Sequence, residues 1–244
     1  MKHLLILAAL LMVIGACDAF TPVCRPRNKL VMREAQSSAV GEQTKTAFLE
    51  SLDVDRPYDL NARSEIRTKL LNEVIDKESL PGGSGISNPG SEESFASVAP
   101  GSWKVVYAPH MTIMAGLFQG EFSVGYDLRK DGTITSHARY KFSLFNLYGY
   151  LSTSGTYGSV DNRVCRVDFD EAWVRPAEND AFEQEPYPDI ESVPDSIVKF
   201  LIRNIGRAAF IEAFAVFPVS YLDNELIVFD FELLGTRICA RKEC

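Results

Sequence analysis

From Pro100 onward, apolar side chains recur at every second position. Trp103, Val105 and Tyr107 share one face, as do Phe122, Val124, Tyr126 and Leu128, and a period of two predicts strands with one buried side. RKDG at 129–132 supplies a turn, because Asp and Gly accept the backbone angles that a tight reversal needs. The return strand carries Ile134, Ala138, Tyr140, Phe142 and Leu144 on one side and His137, Arg139 and Lys141 on the other. YGYLSTSGTYG and RVCRVDFDEAWV, split by Asp161 and Asn162, read as a second hairpin, with Cys165, Val167 and Phe169 alternating with Arg166, Asp168 and Asp170.

Elsewhere the period is helical. TAFLESL is followed by a polar break and then by Ile66, Leu70, Leu71, Val74 and Ile75, which predicts a helical segment within 41–80, with Asn61 as a cap. Residues 81–99 are rich in Gly, Ser and Pro without periodicity and are expected to be a flexible linker. After an acidic loop at 168–191, with nine acids and one base, PDSIVKFLIRNIGRAAFIEAF takes helical spacing behind Pro194. The chain closes with AVFPVSYLD, ELIVFDFELLG and TRICARKEC, short strands punctuated by Pro218, Asn224 and Gly235. The fold class expected for residues 100–244 is therefore mainly β: a lipocalin-like antiparallel up-and-down barrel with N-terminal helices and one late helix.

The first residues form a different region. Leu4 to Ile14 is an apolar block too short to span a bilayer as a helix, so residues 1–19 read as a signal peptide, cleaved after Ala19 to leave Phe20 at the new terminus. Ile14, Gly15, Ala16 and Cys17 also fit the bacterial lipoprotein pattern. Residues 20–40 hold Arg25, Arg27, Lys29 and Arg33 against the single acid Glu34, the composition of a transit peptide. The CDAFTP stretch resembles the Phe-marked junction of the bipartite presequences of algae with complex secondary plastids. That resemblance implies a plastid destination, with a lipoprotein or secreted protein as the alternatives.

Without that region the charge balance sharpens. The whole chain has 25 basic and 33 acidic residues, of which residues 1–35 contain 5 and 2, so the rest carries 20 against 31, or 11 net negative charges. Such a surface repels phosphate backbones, which argues against nucleic acid as a partner and leaves apolar lipids open. Cys165, Cys239 and Cys244 form no CxxC or zinc spacing, and His110 and His137 have no second ligand nearby in sequence, so no metal or cofactor is expected. No nucleophile elbow, phosphate loop or dinucleotide fingerprint is present. A binding protein rather than an enzyme is the expected class.

Two segments carry a family likeness. PGSWKVVYAPH, Pro100 to His110, resembles the Gly-x-Trp-x-hydrophobic-x-Tyr entry strand of the plastid lipid-associated proteins, or fibrillins, and VSYLDNEL, Val219 to Leu226, resembles that family's C-terminal Tyr-Leu-Asp segment. Arg63, Ile66, Leu70 and Glu73 are similar to its N-terminal helices. Ala108 stands where the family has a polar residue, and apolar Ile227, Val228 and Phe229 replace its Arg-Ile-x-Arg-Gly, so a divergent branch is implied. The resemblance implies a lipocalin-like protein of thylakoids or plastoglobules that handles prenyl lipids, carotenoids or similar molecules, and it carries over no catalytic residue.

On this reading Trp103, Tyr107, Tyr126, Tyr140, Phe142, Phe169, Phe229 and Phe231 are the candidate contacts to an apolar lipid or pigment, with plain core packing as the competing role. Met111, Met114 and Phe118 of HMTIMAGLFQG form a candidate membrane-touching mouth, or a plug over the barrel end. Lys199, Arg203 and Arg207 lie four residues apart on the late helix and form a candidate dock for a membrane or lipid-droplet surface. Other classes stay open: an isomerase or cyclase of an apolar substrate in the same barrel, or an assembly factor with a filled barrel.

Overall fold

The computed structural model describes residues 37–52, 64–79, 83–111, 120–179, 181, 183–194, 216–231 and 235–243. Eight strands follow one another around a closed antiparallel barrel, the last pairing with the first. They are β1 Gly101–Tyr107, β2 Gly120–Leu128, β3 Thr133–Phe142, β4 Leu147–Asp161, β5 Val164–Ala177, β6 Val216–Leu222, β7 Leu226–Phe231 and β8 Thr236–Lys242. This is the up-and-down barrel that the alternating pattern predicts; its β5–β6 seam is short, with Val164–Arg166 pairing to Val216–Pro218 and the rest of β5 without a β6 partner among the described residues.

Both sequence-predicted hairpins are present. Gly132, at φ +80°, donates to the Arg129 carbonyl at 3.0 Å, and the Asp131 carboxylate accepts from the Thr133 N–H at 3.0 Å. β3 ends at Phe142, not beyond it: Ser143–Phe145 turn into a short 3-10 helix and Leu144 is exposed. A bulge interrupts the β4–β5 pairing at Ser154/Gly155. There a Cβ on Gly155 would lie 1.9 Å from the Asp168 carbonyl oxygen, so glycine allows the two backbones to close. The first half of the expected acidic loop belongs to β5, which continues to Ala177, because Ala172 and Trp173 are buried there and favour the sheet.

The N-terminal helices are α1, Ser37–Glu50, and α2, Ser64–Glu78. Phe48 and Leu52 of the α1 segment and Leu71 and Val74 of α2 pack on the outside of the barrel against Tyr107, Tyr221, Leu226, Val228 and Cys239. A buried polar cluster pins this contact. Lys45 donates to Asp223 at 2.7 Å, Tyr221 donates to the same carboxylate at 2.6 Å, and Ser84 bridges the Tyr221 hydroxyl at 2.9 Å and Glu78 at 2.7 Å. The Tyr-Leu-Asp segment is thus the joint between helices and barrel.

The expected flexible linker is corrected by the structure. Ser91 caps a third helix, α3, Glu92–Val98, accepting from the Ser94 N–H at 3.3 Å. Gly90 approaches β5 so closely that a Cβ would meet the Val164 nitrogen at 2.3 Å, and its N–H reaches the Asn162 carbonyl at 3.0 Å. The glycines serve close packing rather than looseness. Asn61, the residues around Phe20, and the late helix with Lys199, Arg203 and Arg207 lie outside the described residues.

Candidate functional site

Strand parity decides which side chains enter the barrel, and bulges reset it. On β1, Trp103 and Val105 point inward, but the register shifts between Val105 and Tyr107. Tyr107 therefore turns outward, meeting Phe48 edge-on at 6.1 Å and sharing a 2.5 Å hydroxyl contact with Thr68. Its expected place on the Trp103 face is corrected, since an extra residue in a strand exchanges inside for outside. The same shift occurs on β6 between Val219 and Tyr221, leaving Phe217 and Val219 inside and Tyr221 out.

The lumen has two parts. Toward α3 lies a cavity of about 90 Å³ whose walls include Trp103, Tyr126, Phe169 and Phe229. Phe95 of α3 reaches into the same space, and Trp103 Nε1 donates to the Ala99 carbonyl at 2.8 Å, holding the helix against that end. Phe217, Ile227 and Ile238 complete the wall; the alternating pattern points to Ile227, two residues from Phe229, but marks no inward position beside Phe217 or Ile238. Phe95 sat in a stretch without periodicity, so no pattern marked it.

Toward the opposite end Phe122, Tyr140 and Phe142 fill the lumen. Phe142 meets Phe122 edge-on at 5.0 Å and stacks on Tyr140 at 5.6 Å, and Met111 packs against them. Tyr140 and Phe142 thus sit in an aromatic layer beyond the cavity. Phe231 lies at the rim, stacked on Phe217 at 6.4 Å, beside His110 at 5.2 Å. Met114 and Phe118 fall outside the described residues.

Electrostatically the cavity is bland. Cys165 is a wall residue whose thiol is pushed up to about 12 by burial, and burial raises Tyr126 to about 12 as well. Neither ionises near neutrality. Lys242 sits over the Trp103 ring at 5.1 Å and donates to the Val98 carbonyl at 2.8 Å, so its charge is engaged at the α3 end. His110 is lowered to about 4 by burial, which keeps it neutral, and its Nδ1 lies 3.1 Å from the Thr236 hydroxyl. Among the described residues no group of three His, Cys, Asp or Glu converges as a metal site would require.

One pair has the outline of a nucleophile and base. His137 Nδ1 lies 2.8 Å from the Ser152 hydroxyl. Both residues are on the outer face, and Ser152 is sealed beneath Trp173, which donates to the Tyr187 carbonyl at 2.9 Å. A substrate has no path to that oxygen in this arrangement, so the pair is packing under the 187–193 segment. No family model matches the chain. No curated protein matches it either.

Proposed function

We propose that this protein is a non-catalytic carrier or holder of a slender apolar molecule of isoprenoid type, bound in the barrel. The observation that carries the reading is the cavity itself: a space in the barrel walled by aromatic and aliphatic side chains, with no acid–base pair facing it among the described residues. Such a wall favours hydrocarbon and offers little to a polar reactant. The volume argues for shape as well. About 90 Å³ is well below the roughly 300–1,000 Å³ of sites for drug-sized ligands. A single prenyl chain threads such a space more readily than a broad ring system.

The plastid lipid-associated protein reading extends this proposal. It is supported by the Pro100–His110 and Val219–Leu226 motifs and by the Phe20-marked basic segment, and it sets the protein at thylakoids or plastoglobules. A fluorescent fusion of residues 1–40 is expected to enter plastids of an alga with secondary plastids, and Phe20→Ala to stall outside; secretion of the parent fusion contradicts the address. The cargo is tested by organic extraction of the purified protein after incubation with prenyl alcohols, prenyl quinones and carotenoids. Retention of at least one class is expected, with the prenyl chains held best. The aromatic filling by Phe122, Tyr140 and Phe142 favours a second reading, a barrel scaffold for protein assembly. Failure to retain any of the three classes selects it.

A further inference from the structure

The cavity and the aromatic layer are separated by hydroxyls. In the sheet register Tyr126 faces Ser136 and Ser136 faces Thr153, so the three share one row across β2, β3 and β4. Each points into the barrel. On β3 Ser136 lies between Ile134, in the cavity wall, and Ala138 and Tyr140, which pack with the aromatic layer. On β4 Thr153 lies between Tyr157 of the cavity wall and Leu151 of that layer. Strands in a barrel are tilted, so such a row climbs along the axis and here leads from the cavity to its inner end.

Ser136 and Thr153 are only 8% and 9% exposed, yet neither hydroxyl, nor that of Tyr126, hydrogen-bonds to any described residue. Two register rows further in, the Tyr140 hydroxyl is also buried without a partner. The Tyr140 oxygen is sealed, whereas the Tyr126, Ser136 and Thr153 oxygens keep some access to the space they face, so a polar atom of a ligand can pair with them there. Its chemistry is specific. Hydroxyls donate and accept but carry no charge, and the nearest cation in the row, Lys242, is held on the Val98 carbonyl at the opposite, α3 end.

Resting on the apolar-carrier reading, we infer that the Tyr126, Ser136 and Thr153 row is a headgroup subsite that selects chains ending in a neutral oxygen function, an alcohol or a carbonyl, over bare hydrocarbons and carboxylates. A hydrocarbon leaves the three hydroxyls unpaired. A carboxylate would be desolvated with no counter-charge facing it.

The test uses three probes of equal length: farnesol, farnesene and farnesoic acid. Binding is read at pH 8 from Trp103 emission in Trp173→Phe protein. Farnesol is expected to bind about tenfold more tightly than farnesene, the difference one or two net hydrogen bonds supply, and more tightly than the acid. The double variant Ser136→Ala, Thr153→Val is expected to shrink the alcohol preference to about twofold, with farnesene bound at least as tightly as before, since fewer hydroxyls are left unpaired, and with no loss of thermal stability, because no intramolecular hydrogen bond is removed. Tyr126→Phe, which deletes a single oxygen, provides an independent arm with the same expected direction. Equal binding of farnesene and farnesol, or preference for the acid, overturns the subsite and leaves the apolar-carrier reading standing. Absence of binding by all three probes overturns both.

Discussion

The Lys45 ammonium lies 2.7 Å from the Asp223 carboxylate, joining the first described helix to the β6–β7 turn 178 residues later. Glu225 adds a second carboxylate to Lys45 at 2.9 Å, and Asp223 also accepts the Glu225 and Leu226 N–H groups at 2.7 and 2.6 Å. Burial alone would raise Asp223, but the Lys45, Tyr221 and backbone hydrogen bonds outweigh it and hold its pKa below the ordinary carboxylate value. For Lys45, burial opposes the charge and the two carboxylates prevail, raising its pKa.

The sign of the pH dependence follows. A depressed carboxylate contributes stability that is present above its unfolded value, near about 4, and lost as pH falls through the folded value. A raised lysine contributes below about 10.4 and loses its share as pH rises through the folded value. Thermal stability is therefore expected to be flat between these limits and to fall on both sides. Asp223→Asn should lower stability at pH 7 by about 2 kcal/mol, because hydrogen bonds to a charged carboxylate are weakened while Lys45 keeps Glu225 at 2.9 Å, and flatten the acid limb. Denaturant unfolding from pH 2.5 to 11 measures it; an unchanged acid limb contradicts the role of this pair.

Phe95 projects from α3 into the cavity and packs beside Tyr157, with ring centroids 6.2 Å apart. Phe95→Ala is expected to cost about 3 kcal/mol, as deletion of a buried ring generally does, and to lengthen the cavity toward α3. Uptake of geranylgeraniol should improve relative to farnesol in this variant. The Ser91→Ala variant, which removes the helix cap, serves as the control: it should lose about 1 kcal/mol without changing the ratio of the two ligands.

Cys165 and Cys239 are both buried free thiols, one facing the cavity and the other under the helices. Burial raises both, so neither is nucleophilic at pH 8. Alkylation followed by peptide mass mapping should find both unmodified in the native protein. In Asp223→Asn, Cys239 is expected to react first, because its cover is the helix pair that Lys45 and Asp223 hold in place. Earlier labelling of Cys165 contradicts that order of opening.

Much of the barrel was legible because its strands alternate cleanly: β2 places Phe122, Val124 and Leu128 in the core as the period of two required. The alternating pattern misplaces Tyr107 because a bulge leaves no mark in a sequence of apolar and polar residues; the next inward residue, Ala108, is small and inconspicuous. The order of residues 83–99 is hidden for a related reason. Gly83, Gly85 and Gly90 are compositionally indistinguishable from flexible glycines, and only their contacts with Glu78 and the β5 backbone show that they pack. The row of Tyr126, Ser136 and Thr153 could not be seen in one dimension, since its members are brought together by register across three strands.

The chain contains two tryptophans, Trp103 in the cavity wall and Trp173 on the outer face, so the location of a bound chain can be read by contact quenching. The direct measurement compares Trp173→Phe protein, which reports Trp103, with Trp103→Phe protein, which reports Trp173, each titrated with a prenyl alcohol carrying bromine atoms on its hydrocarbon chain. Saturable quenching of Trp103 with little change at Trp173 is the expected result. Equal quenching of both, or none at Trp103 while the ligand remains bound, would contradict the claim that the apolar molecule lies inside the barrel.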